Sequence, residues 1–87
     1  MAYNYAVLGS GRQGTATAYD LARWGDAGRV ILADLDRDVV RQAAERINGL
    51  LSLFIVEPVQ VDVADLEAVK RLLTGVDALV SAVPYLY

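Results

Sequence analysis

Short apolar runs alternate with amphipathic stretches along the chain. Residues 5–8, 30–33, 59–61 and 78–83 are apolar runs bounded by Gly, Asp or Pro, the pattern of strands buried on both faces. Three helical patterns lie between them. In the first, Gly14, Ala18, Leu21 and Ala22 recur at helical spacing, and Gly25 and Gly28 mark the exit. The second aligns Val40, Ala43, Ala44 and Ile47 on one stripe, starts after a capping Asp36 and stops at Gly49. The third turns Leu66, Val69 and Leu73 inward, with Asp65 as N-cap and Gly75 just past the end. The order is β-α-β-α-β-α-β.

Strands joined by helical crossovers run parallel, and right-handed crossovers leave few arrangements. The expected fold is α/β: a partial doubly wound Rossmann sheet of four parallel strands in the order 3-2-1-4, with three crossover helices. The first two helices cover one face and the third covers the other. Pro58 suits this order, at the start of an edge strand where a missing N–H does little harm. The chain, 1–87, reads as one domain and as a fragment, because a complete fold of this type continues where Pro84, Tyr85, Leu86 and Tyr87 end the sequence. Residues 50–56 are too apolar for a free loop. They are expected to pack under the second helix or extend the third strand, the alternative being an interaction patch.

Composition narrows the chemistry. A chain of 87 residues buries one small core. With no Cys and no His there is no disulfide, thiol nucleophile, imidazole base or Cys/His metal site, and no catalytic or metal-ligating residue is assigned. Eight Lys plus Arg stand against 11 Asp plus Glu, and Lys70 is the single lysine. Nucleic acid is therefore not an expected partner, since it requires clustered positive charge. The longest apolar stretch, residues 50–56, is broken by Ser52 and falls far short of the roughly 20 residues that span a bilayer. No membrane association is expected, and the expected compartment is the cytoplasm.

The strongest chemical signal is Gly9-Ser10-Gly11-Arg12-Gln13-Gly14, a G-x-G-x-x-G directly after the first strand and opening the first helix. Gly9 permits the tight turn, Gly11 lets a pyrophosphate approach the backbone, and Gly14 lets helix and strand pack closely. Amides around Arg12 and Gln13 point at the phosphates, where the helix dipole favours negative charge. Asp34 ends the second strand, at the distance expected of the carboxylate that accepts from the adenosine ribose hydroxyls. Asp62 and Val63 follow the third strand, where the chain passes the adenine, although Asp62 also suits ordinary turn chemistry. Val83, in the Ser81-Ala82-Val83-Pro84-Tyr85 segment, borders the nicotinamide half at the switch point. Tyr85, Tyr87 and Trp24 are read as packing residues.

The runs VLGSGRQG (7–14), LADLD (32–36), VDVAD (61–65), GVDAL (75–79) and SAVPY (81–85) resemble the amino-terminal domain of the saccharopine dehydrogenase-like family, and within it the lysine 6-dehydrogenase branch. The resemblance covers essentially the whole chain. It implies an NAD(P)-dependent oxidoreductase acting at a carbon–nitrogen bond of an amino acid. This chain would bind the cofactor, a later domain would bind the substrate, and the chain alone would not catalyse. A homo-oligomer is expected. NAD is the expected cofactor over NADP, because a 2′-phosphate would set like charge beside Asp34. Three alternatives share parts of the pattern. A nucleotide-sensing regulatory domain of the potassium-transport type lacks the Val-Pro-Tyr ending, and an S-adenosylmethionine-dependent methyltransferase usually reads G-x-G-x-G. A flavoprotein could use the same loop, but nothing else in the chain resembles one.

Overall fold

The alternating pattern folds as β1 (Tyr3–Leu8), α1 (Arg12–Trp24), β2 (Ala27–Asp34), α2 (Arg37–Leu51), β3 (Val56–Gln60), α3 (Leu66–Leu73) and β4 (Ala78–Ser81). This is seen in a computed structural model that describes residues 2–62 and 64–81. The strands form one parallel sheet in the order β3-β2-β1-β4, the doubly wound arrangement that the crossovers imply. Strand alternation sends side chains to both faces. Val7, Val30 and Leu32 meet Ala18 and Ala22 of α1 and Val40, Ala44 and Ile47 of α2 on one face. Ala6, Leu8, Ile31 and Ala33 meet Val69, Leu72 and Leu73 of α3 on the other. Small residues on α1, with Gly14, Ala18 and Ala22 all buried, let its axis lie close to the sheet, which brings its amino end over the end of β1. No described helix is long and apolar enough to cross a membrane.

The ends of the elements follow from their caps. Asp36 accepts from the amides of Asp38 and Val39, and Asp65 from that of Ala68, so both expected N-caps are in place. Gly75 follows α3 at φ +81, the left-handed conformation that glycine adopts without a Cβ clash. Gly49, by contrast, does not stop α2. The helix runs on to Leu51, and Ser52 caps it in the left-handed region, its amide reaching the carbonyls of Asn48 and Gly49. One interior glycine costs only about 1 kcal/mol, less than the packing of Leu51 and the cap return. Gly28 lies inside β2 rather than at a helix exit, and Asp26, not Gly25, takes the positive φ after α1.

Several placements depart from the sequence pattern. Leu66 is 69% exposed, because the inner stripe of α3 is Ala68, Val69, Leu72 and Leu73 and Leu66 sits about a quarter turn off its centre. Trp24 is 72% exposed rather than packed; the Arg23 guanidinium lies over its ring at 4.6 Å. β3 occupies Val56–Gln60, earlier than its apolar run suggests. Asn48 fixes that start by donating to the Val56 carbonyl at 2.9 Å and accepting its amide at 3.1 Å, and Glu57 pairs with Arg29 across the strands. Residues 50–56 are therefore divided among helix, turn and strand, with Leu51 and Ile55 against the core and Phe54 exposed. Pro58 stands mid-strand on the edge. The Val61 amide donates inward to Asp34, so alternation points the position of Pro58's missing N–H outward.

Candidate functional site

β1 and β2 pair in parallel from Asn4↔Arg29 to Leu8↔Ala33, and the Gly9 amide extends the ladder by donating to the Ala33 carbonyl at 2.7 Å. The chain then breaks away at Gly9, whose φ of 98 is glycine territory. Ser10 follows and is buried, only 4% exposed. Pairing sets it beside the end of β2. Its amide and its hydroxyl both donate to Asp34 Oδ2, each at 2.6 Å, while its carbonyl accepts from Thr15 Oγ1 at 2.8 Å. The loop and the carboxylate are thus joined by direct bonds.

Gly11 is the N-cap of α1 and supplies no side chain to it, and the first turn carries no acidic residue. The amides of a first helical turn have no intrahelical acceptor, so here they remain available to an anion, with the helix dipole in support. A Cβ built on Gly11 would meet nothing within 4 Å. The space over it is open to a ligand, and Arg12 and Gln13 beside it are exposed. Gly14 is buried under the sheet-facing side of the helix. These features fit a pyrophosphate.

Asp34 Oδ1 accepts a longer bond, 3.3 Å, from the Asp36 amide, and keeps acceptor capacity for a hydroxyl pair. Burial pushes the carboxyl's pKa up, but the hydroxyl and amide of Ser10 and the amides of Asp36 and Leu35 outweigh that, holding it below its ordinary value of 3.8. Asp34 is therefore an anion at neutral pH. The Val61 amide donates to the Asp34 carbonyl at 2.8 Å, which places the chain after β3 next to the same corner. There Asp62 uses its own Oδ1 to accept the Ala64 amide at 2.9 Å; its carboxylate closes a local turn, the ordinary role of such a residue. Val63 and Val83, together with Tyr85 and Tyr87, lie outside the described residues. The bond from Thr15 and the pairing of Ser10 with Asp34 are the site contacts that sequence reading missed. Only the adjacency of β1 and β2 could have signalled the second.

A groove of about 510 Å³ opens between α1 and α2, touching the loop at Ser10, Gly11 and Arg12 and running past Tyr19 to Arg46 and Leu50. It runs from the loop at the carboxyl end of β1 along the face covered by α1 and α2, so only its Ser10–Arg12 end borders the place where ligands of doubly wound folds sit.

A family model described as the saccharopine dehydrogenase NADP binding domain matches residues 5–87. The chain belongs to this saccharopine dehydrogenase NADP-binding domain family. It is accordingly a nicotinamide-dinucleotide-binding domain of the dehydrogenase kind. Among solved structures, quinate dehydrogenase from Corynebacterium glutamicum in complex with NAD aligns at TM-score 0.81 and 25% identity, over 97% of this chain and 28% of that one. The lactate dehydrogenase of Cryptosporidium parvum, complexed with lactic acid and nicotinamide adenine dinucleotide, aligns at TM-score 0.69 and 23% identity, over 98% and 25%. The malate dehydrogenase of that organism gives 0.69 and 18%, over 98% and 26%. The last two show the shared fold. The saccharopine dehydrogenase-like chain spans between a quarter and a third of the length of these three proteins. No curated protein sequence matches it significantly.

Proposed function

We propose that this chain is the cofactor-binding part of an oxidoreductase that uses NAD in preference to NADP and acts on a carbon–nitrogen bond of an amino acid. The loop run VLGSGRQG is common to many dinucleotide-binding domains, whereas the ending Ala82-Val83-Pro84-Tyr85 is more particular to the saccharopine dehydrogenase-like group and supports this reading, with the lysine 6-dehydrogenase branch as the one it most resembles. In this reading the amides following Gly11 hold the pyrophosphate, Gly11 leaves room for it, and Asp34 Oδ1 accepts from the adenosine ribose. The cofactor supplies the hydride chemistry, and the protein's task is to position it. Substrate groups come from a further domain, and the chain described here binds without catalysing.

The observation that carries the preference for NAD is the anionic Asp34 bonded to the phosphate loop. A free 2′-hydroxyl donates to that carboxylate, whereas a 2′-phosphate repels it. At ~4 Å and an effective dielectric near 20 the repulsion is roughly 4 kcal/mol per unit charge, reduced by solvent at this part-exposed site. The neighbouring Leu35 and Asp36 offer no cation. The family description names NADP; the carboxylate argues for the unphosphorylated cofactor in this member. Titrating NADH and NADPH into the wild type and an Asp34→Ser variant tests this. The wild type should bind NADH at least about tenfold tighter, and the variant should lose most of that margin. Equal or tighter NADPH binding by the wild type would transfer control of the pocket to Arg12 or Arg37.

A further inference from the structure

We propose that Ser10 is a positioning residue whose hydroxyl holds the Asp34 carboxylate in place and thereby sets the discrimination between NAD and NADP. This rests on the reading of Asp34 as the ribose acceptor. Oδ2 receives two donors from one residue, the Ser10 amide and hydroxyl, both at 2.6 Å. Turning the carboxylate away would break both at once, and bonds to a charged acceptor are the strong kind. Ser10 is itself fixed, since it is 4% exposed and its carbonyl is tied to Thr15 Oγ1 at 2.8 Å. Its single hydroxyl proton is committed to Asp34 and does not serve a phosphate. Oδ1 accepts the longer bond from the Asp36 amide, 3.3 Å, and is the oxygen left to accept from a ribose hydroxyl.

A free carboxylate can rotate away from a 2′-phosphate and so relieve the repulsion. One clamped from behind cannot. The hydroxyl at position 10 thus converts a soft charge preference into a geometric one by acting through Asp34.

The test compares NADH and NADPH dissociation constants for the intact wild-type protein, Ser10→Ala, Ser10→Cys and Asp34→Ser. Cysteine nearly preserves volume in the buried position while exchanging a strong donor for a weak one, and so keeps the test open if alanine fails to fold. The expected result is a fall of about tenfold in the NADH-over-NADPH ratio for Ser10→Ala, the low end for one bond to a charged group, with a smaller fall for Ser10→Cys. The Asp34 carboxyl, followed by carbon NMR without cofactor, should titrate higher in both. If Asp34→Ser relaxes the ratio while the Ser10 variants weaken both dinucleotides equally, Ser10 is merely structural and the proposal is overturned. If the wild type binds neither dinucleotide, the reading of the site falls and the proposal with it.

Discussion

At the scale of single residues, Gly11 and Asp34 divide the work of the site. Gly11 has an extended backbone, φ −64 and ψ −170, and open space where a Cβ would stand. Gly11→Val should therefore fold normally, with an unchanged circular dichroism spectrum, yet lose about tenfold or more in dinucleotide affinity, because the side chain occupies the space of the pyrophosphate. Unchanged affinity by calorimetry would remove the loop from the site. Asp34 carries a consequence for stability. Its folded pKa lies below 3.8, so the carboxylate's contribution is fully present above the unfolded value and is lost as pH falls through the folded one. The stability difference between wild type and Asp34→Asn, measured by urea unfolding, should be flat above about pH 5 and shrink below about pH 4. A difference that stays constant down to acid pH would show that the Ser10 bonds do not favour the charged form.

At the scale of elements, caps govern where the helices begin. Asp36 serves two amides at the start of α2, at 3.1 Å each, directly after the corner that presents Asp34. Asp36→Ala should cost about 1 kcal/mol of stability by denaturant unfolding while leaving the far end of the sheet unchanged. No loss would mean that α2 is held by its buried stripe alone. Elements whose role is written in a local pattern were legible in the sequence: the caps Asp36 and Asp65, the glycine after α3, the small-residue stripe of α1 and the parallel order of the strands. Boundaries set by tertiary contacts were not. The start of β3 depends on the Asn48 side chain bonding the Val56 backbone, and Glu57 hides the strand by interrupting the apolar run. The site shows the same division. The glycine loop and the spacing of Asp34 were readable, whereas the Ser10–Asp34 bond links positions brought together only by strand pairing.

At the scale of the whole molecule, coverage of the sheet is uneven. α1 and α2 bury a stripe each, but α3 contains no fully buried residue, and β4 stands at the edge of the sheet with Leu79 45% exposed. An exposed apolar edge promotes association, so the 87-residue chain should self-associate in light scattering as concentration rises. A monodisperse monomer at high concentration would count against this. The dinucleotide is expected at the glycine loop, at the carboxyl end of β1. Amide shift mapping with NADH tests this directly: the largest changes are expected at Ser10 through Gly14 and at Asp34 and Leu35, with little change at Arg46 and Leu50. Changes centred on Arg46 and Leu50, in the groove between α1 and α2, with the amides of Gly11, Arg12 and Gln13 undisturbed, would contradict it.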